Sequence, residues 1–180
     1  MAIKSLAIFC GSKKGNNKVF WQHAIELGKI LAENEIAMIY GGGKNGLMGA
    51  IADSAMKNGG VVRGVIPHML SSIEHQHENI SELLVVEDMH QRKRKMYELC
   101  DAAMILPGGF GTLDELFEVL TWNQLSIHDK KIFILNSSGF YNHLLQHLNV
   151  LADEGFLYEE LNKQFVVLND PAELKDFLSS

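Results

Sequence analysis

Residues 101–124 read DAAMILPGGFGTLDELFEVLTWNQ, and three signals meet inside them. Residues 101–106 are a short apolar run with the length of a buried strand. Pro107, Gly108, Gly109 and Gly111 break it, and Leu113, Leu116, Phe117 and Leu120 then recur at helical spacing. The order is strand, glycine turn, helix. A helix N-terminus presents about four backbone N–H groups without intrahelical partners and about half a positive charge, and glycines let an anion approach that backbone closely. The stretch has the makings of a phosphate cradle. A second reading stands beside it: Thr112 and Glu115 fit the S/T-x-x-E capping box, in which hydroxyl and carboxylate satisfy first-turn donors and do nothing but start the helix.

Outward from this unit the chain alternates. Strand-like runs at 5–10, 36–40, 61–66, 83–86, 131–136 and 165–168 are interleaved with helical patterns at 18–34, 47–57, 89–100 and 141–153, and a less regular stretch follows Pro67. Asp170-Pro171 starts a last short helix, with Asp as cap and Pro at the first position. Alternation at this pitch predicts right-handed βαβ units, hence an α/β protein: a three-layer Rossmann-like fold with a mostly parallel central sheet flanked by helices. In such sheets ligands sit beyond the carboxyl ends of the strands, where the winding reverses. Three loops there carry glycine: Gly11-Ser12, residues 41–49 and residues 107–112. Together they point to a phosphorylated or nucleotide ligand.

Composition bounds the remaining choices. A chain of 180 residues, 47% hydrophobic, is most simply one domain spanning 1–180 that buries a core without disulfides or metal. A net charge of -6 argues against a nucleic-acid partner, because phosphate-backbone affinity needs a basic surface. Cys10 and Cys100 are too far apart for a metal knuckle and too few for a disulfide scaffold, which suits a reducing cytosol. The apolar run at 6–10 is too brief for a signal peptide or for the ~20 residues of a membrane span. The expectation is a cytoplasmic protein with no membrane segment, no cofactor and no metal; His75 and His77 read as isolated loop-surface residues.

Failed matches narrow the nucleotide. GGGKNG at 41–46 satisfies G-x-G-x-x-G, but the dinucleotide fingerprint also needs an acidic residue ~20 positions on, where this chain has Ile66-Pro67-His68. Nor is it a Walker A loop, since Leu47-Met48 follow Gly46. A mononucleotide or sugar phosphate remains. In MHQRKRKMYELC at 89–100, Met89, Met96, Leu99 and Cys100 form an apolar stripe with Arg92 inside it, Lys93 at its edge and Arg94 pointing away. An inward guanidinium needs an anionic partner, either an internal carboxylate or a ligand phosphate or ribose.

PGGFGTLDE at 107–115 matches the P-G-G-x-G-T-x-x-E motif and resembles the LOG ("Lonely guy") family, the cytokinin riboside 5′-monophosphate phosphoribohydrolases, whose members were often mislabelled lysine decarboxylases. Cys10-Gly11-Ser12, GGGKNGLMG at 41–49, MHQRK at 89–93, TWNQL at 121–125 and DEGF at 153–156 resemble that family's segments in its order, across nearly the whole chain. The resemblance implies hydrolysis of the N-glycosidic bond of a purine nucleoside 5′-monophosphate, giving free base and ribose 5-phosphate. It implies Arg92 and Glu115 as the catalytic pair, Gly108, Gly109, Gly111 and Thr112 around the phosphate, and Ser12, Gly43, Glu74 and Lys93 as further substrate contacts. Departures from the family pattern are Lys13 for a second Ser, Lys44 for a small or neutral residue, Asp114 for Glu, Ser126 for Gly and Lys131 for Pro.

The chemistry agrees with the resemblance. Breaking the bond builds positive charge on the ribose, which a carboxylate such as Glu115 can stabilise while Arg92 holds the substrate. No electron sink or Schiff-base Lys is evident for amino-acid decarboxylation. Val119 and Trp122 sit on the Glu115 flank of their helix, away from its main apolar stripe, and a large aromatic there needs cover. The expected partner is a second copy, a homodimer whose helices meet near the active sites. The competing function is a noncatalytic nucleotide or molybdenum-cofactor carrier on the same scaffold, similar to carriers that share the P-G-G-x-G-T turn.

Overall fold

A computed structural model describes residues 2–71 and 76–178. Seven strands make one sheet: β1 (Ser5–Phe9), β2 (Ala37–Tyr40), β3 (Val62–Pro67), β4 (Glu82–Val86), β5 (Ala102–Ile105), β6 (Lys131–Leu135) and β7 (Val166–Leu168). The helices between them are α1 (Lys18–Glu33), α2 (Gly46–Lys57), α3 (His68–Ser71), α4 (Met89–Glu98), α5 (Phe110–Gln124), α6 (Asn142–Asp153) and α7 (Leu161–Gln164), with 3-10 turns at Ser137–Gly139 and Pro171–Phe177. The strand order is β4-β3-β2-β1-β5-β6-β7 and every pairing is parallel. Winding runs outward from β1 to β4, then restarts on the other side of β1 with β5. The crevice rule therefore places a ligand at the carboxyl ends of β1 and β5.

The strands are apolar throughout because both faces are covered. Leu6 and Ile8 pack with Met38 and Tyr40 beneath Leu27 and Leu31 of α1 and Ile51 of α2. Ala7 and Phe9 face the other way, onto Met96 and Tyr97 of α4 and Leu116 and Val119 of α5. At about 1.5–3 kcal/mol for each large side chain taken from water, this two-sided burial, rather than helix propensity, fixes the three layers. Local signals place the ends: Asn17 Oδ1 accepts from Val19 N at 3.0 Å to start α1, and Asp88 Oδ1 accepts from Gln91 N at 2.8 Å to start α4. Asp170 caps the final turn through Ala172 N at 2.8 Å, with Pro171 first in it.

The observed fold corrects the sequence reading in four places. The irregular stretch after Pro67 opens with the short helix α3. Helix α5 begins at Phe110 with Gly109 in the cap position, so Thr112 lies inside the first turn and the capping-box reading of Thr112 and Glu115 fails. The inward face of α5 is Thr112, Leu116 and Val119, while Phe117 is 40% exposed. Val119 is thus core, and Trp122 packs edge-on to Tyr97 with ring centroids 5.1 Å apart, so the cover expected from a second copy at these two residues comes from the chain itself. Among the described residues no helix is long and apolar enough to cross a membrane.

Candidate active site

A cavity of about 570 Å3 opens where the crevice rule places it, within the range of small-molecule sites. Its floor is the segment that follows β1, from Cys10 to Gly15, and the turn that follows β5, from Pro107 to Thr112. The two are stitched together: Gly11 N donates to Pro107 O at 3.0 Å and Leu106 N to Phe9 O at 2.9 Å. Behind the turn, the buried Tyr141 hydroxyl donates to Leu106 O at 2.7 Å, while Asn136 Oδ1 accepts from Tyr141 N at 2.8 Å. Burial first, then the neighbouring Cys10 and Glu115, push the Tyr141 hydroxyl above the ordinary range, so it stays a donor.

The N-termini of α2 and α5 reach this cavity, and neither carries a side-chain cap. Leu47 and Met48 at the start of α2, and Phe110, Gly111 and Thr112 at the start of α5, all line it. By contrast α1 and α4, whose first-turn residues Phe20, Met89 and Arg92 also line the cavity, are closed by the side chains of Asn17 and Asp88. A side-chain cap is worth about 1 kcal/mol, so leaving α5 without one forgoes stability and keeps its first-turn donors available to an anion. Gly109 and Gly111 suit the same purpose, since a Cβ added at either would meet nothing within 4 Å. Space, not backbone strain, is what these glycines supply.

Arg92 arrives from α4 with 4% exposure, as its place in the apolar stripe predicts. Its Nε donates to Val65 O at 3.1 Å and its Nη2 to Gly41 O at 2.8 Å, carbonyls of two adjacent strand ends. These acceptors orient a buried charge that would otherwise be very costly. Gly41 has to be glycine for this: a Cβ there would lie 2.0 Å from Arg92 Nη2. Glu115, half-buried on α5, faces the same cavity.

Of the site residues read from the sequence, Ser12, Arg92, Gly108, Gly109, Gly111, Thr112 and Glu115 line one cavity. Gly43 and Lys93 are not among its lining residues. Gly43 forms an isolated antiparallel bridge with Gln76, and Lys93 Nζ ties α4 to α5 through Asp114 and Glu118, each at 3.1 Å. Burial works against the Lys93 charge, but the bonds from Glu118 and Asp114 outweigh it and hold its pKa above the ordinary lysine value. Glu74 and His75 lie outside the described residues. His77 is corrected from loop surface to core: it is 5% exposed, its Nδ1 accepts from Asn79 N at 3.2 Å, and its Nε2 donates to Asp53 at 3.0 Å. Its backbone N donates to Gly42 O at 2.9 Å, so the His77–Asp53 pair clamps the segment after residue 75 onto the glycine loop.

Sequence reasoning missed Gly41 as the seat of Arg92, Tyr141 behind the glycine turn, and Lys13 and Lys14 in the cavity wall. Only the departure at Lys13 gave any local signal. Among the described residues no group of three or more His, Cys, Asp or Glu is placed to hold a metal ion.

The family model described as "Possible lysine decarboxylase" matches residues 48–178. The cytokinin riboside 5′-monophosphate phosphoribohydrolase of Rhodococcoides fascians is 42% identical over 168 residues, 93% of this chain and 85% of that protein. The Arabidopsis thaliana enzyme of the same name, LOG1, is 47% identical over 154 residues, 86% of this chain and 72% of that protein. The molybdenum cofactor binding protein of Rippkaea orientalis superimposes with a TM-score of 0.70 at 17% identity, covering 99% of this chain and 97% of that one, a likeness of fold alone. With such identity over most of its length, and with the glycine turn, Arg92 and Glu115 gathered at one cavity, the chain belongs to the LOG family of cytokinin riboside 5′-monophosphate phosphoribohydrolases.

Proposed function

We propose that this protein is a hydrolase that cleaves the N-glycosidic bond of a purine nucleoside 5′-monophosphate, adenine or N6-modified adenine, to free base and ribose 5-phosphate. The observation that carries the reading is the convergence of Arg92, Glu115 and the uncapped N-terminus of α5 on one cavity. The 5′-phosphate sits against the backbone of Gly108, Gly109, Gly111 and Thr112, where first-turn N–H groups and the helix dipole favour an anion. The base lies toward the apolar wall of Met48, Leu70 and Met89.

As the bond breaks, its electron pair leaves with the base and positive charge builds on the ribose. Water adds its oxygen to C1′, one of its protons is lost, and the base takes up a proton. Glu115 stabilises the oxocarbenium-like state and orients the water, and Arg92, fixed by two carbonyls, holds the substrate in line. Ser12 lines the phosphate end, and Gly43, Lys93 and Glu74 complete the proposed contact set. In this reading the working form is a cytosolic homodimer without a nucleic-acid partner. The outer face of α5 supports the dimer, because Phe110 and Phe117 are exposed on it one heptad apart.

The test is to incubate the protein with AMP and with N6-isopentenyladenosine monophosphate and to follow free base by chromatography. Release of base and ribose 5-phosphate is expected, with the preferred base given by the ratio of kcat/KM values. Glu115→Gln is expected to lower kcat by about 100-fold or more while AMP binds within a few-fold of the parent affinity. A nucleotide that binds and is returned intact by the unmodified protein would instead establish a carrier.

A further inference from the structure

We propose that the same cavity also takes nucleoside 5′-diphosphates, with Lys13 and Lys14 holding the second phosphate; this rests on the monophosphate reading of the α5 end. The two lysines belong to the exposed run 12–16 after β1, and both line the cavity beside the phosphate turn. Their backbone is not loosely placed. A Cβ added at Gly11 would lie 3.3 Å from Gly108 Cα, and one added at Gly46 would lie 2.4 Å from Lys13 N, so this segment is wedged between the phosphate turn and the start of α2. Lys14 Nζ rests over the Trp21 ring, 4.3 Å from its centroid, which orders one of the two ammonium groups without neutralising it.

Charge in the cavity favours an added anion. Its walls carry Lys13, Lys14 and Arg92 against Asp114 and Glu115, and Asp114 is already paired with Lys93 at 3.1 Å. Among the described residues neither Lys13 nor Lys14 is ion-paired with a carboxylate. In a protein with a net charge of -6, Lys13 and Lys14 thus stand as cations without a carboxylate partner among the described residues, at the cavity proposed to take a phosphorylated ligand. A 5′-monophosphate held by the backbone of 108–112 engages the helix end. Lys13 and Lys14 line the same cavity on a different segment, so in this proposal they are the cations left for a second phosphate. The ligand class that uses both is a nucleoside diphosphate. Because it carries the same ribose and base, it competes with the monophosphate and links turnover to the phosphorylation state of the nucleotide pool.

The experiment titrates ADP against the unmodified protein and against Lys13→Ser/Lys14→Ser by thermal-shift binding, and measures ADP as an inhibitor of adenine release from AMP. ADP is expected to bind at least as tightly as AMP and to inhibit competitively. The double variant is expected to weaken ADP about fivefold or more while changing the KM for AMP less than twofold. Equal loss for ADP and AMP, or ADP binding that ignores both substitutions, overturns the proposal. Lysine-dependent ADP binding in a protein that releases no adenine from AMP would refute the hydrolase and leave this subsite standing, so the two failures are distinguishable. Lys13→Arg/Lys14→Arg, which keeps the charge, is expected to retain ADP binding; its loss there also counts against the proposal.

Discussion

Glycines of the same motif-bearing loops do opposite jobs, and the difference is measurable. Gly41 is filled space: a Cβ would come within 2.0 Å of Arg92 Nη2, and the guanidinium, held by Gly41 O and Val65 O, cannot move aside without losing those acceptors. Gly109 and Gly111 are empty space kept for something else, with no atom within 4 Å of an added Cβ. Gly111→Ala therefore folds as well as the parent or better, since alanine in a helix is favoured by up to about 1 kcal/mol over glycine. It is nonetheless expected to raise the KM for AMP about tenfold, because its methyl enters the cavity. Gly41→Ala is expected to lose about 2 kcal/mol or more of stability, read by urea unfolding, and to lose kcat as Arg92 is displaced. If Gly111→Ala binds AMP unchanged, the phosphate is not at the start of α5.

At the scale of elements, the sequence was legible wherever a signal was local. Alternating apolar runs gave the seven strands, the wheel turned Arg92 inward, and Asp170-Pro171 marked its turn. It was not legible where the deciding contact is distant: His77 looks like a polar loop residue until Asp53, 24 positions earlier, is brought beside it. The inward face of α5 was misread because Phe117 shares the helical spacing of Leu113, Leu116 and Leu120 while the polar Thr112 hid the buried side; its start was disguised because Thr112 and Glu115 imitate a cap, whereas the chain enters the helix three residues sooner, at Gly109. At its other end Leu125 is the last cap and Ser126 follows with φ +55, a left-handed position that costs a side-chain residue about 1 kcal/mol. Ser126→Gly is expected to raise the Tm by a few degrees without touching kcat; an unchanged or lower Tm would show that the turn is held by something other than backbone preference. The sheet has its own marker in Asp101 at the foot of β5. Partial burial pushes its pKa up, but the backbone N–H groups of Lys4 and Ser5 and the Ser5 hydroxyl outweigh this and hold it below the usual value. A depressed folded pKa contributes stability above the unfolded value near 3.9 and loses it as pH falls through the lower folded value. The Tm gap between the parent and Asp101→Asn should accordingly be open at pH 6 and narrow as pH falls below the unfolded value near 3.9; a gap independent of pH would assign the effect to packing.

At the scale of the whole molecule, the question is what covers α5. Its inner face is spent on Leu116 and Val119, and Trp122 is taken up by Tyr97 and His128. The apolar surface left outside is Phe110, which is 93% exposed, then Phe117, with Leu125 and Ile127 continuing past the helix end. A 15-residue helix is only about 22 Å long, too little to supply the roughly 800 Å2 per partner of a stable interface by itself, so the contact of the proposed homodimer would have to run on through the segment after Gln124. Phe110 also lines the cavity, so in the proposed homodimer a second copy laid along this face would shield the mouth and exclude water from the site, and assembly would be tied to activity. Sedimentation at micromolar concentration should give twice the 20.1 kDa of one chain, and Phe117→Asp should give 20.1 kDa with the far-UV spectrum unchanged. Because the mouth is shared, activity per chain should fall on dilution in step with dissociation. A monomeric Phe117→Asp protein with full activity would separate the two and leave the exposed phenylalanines without a role in the chemistry.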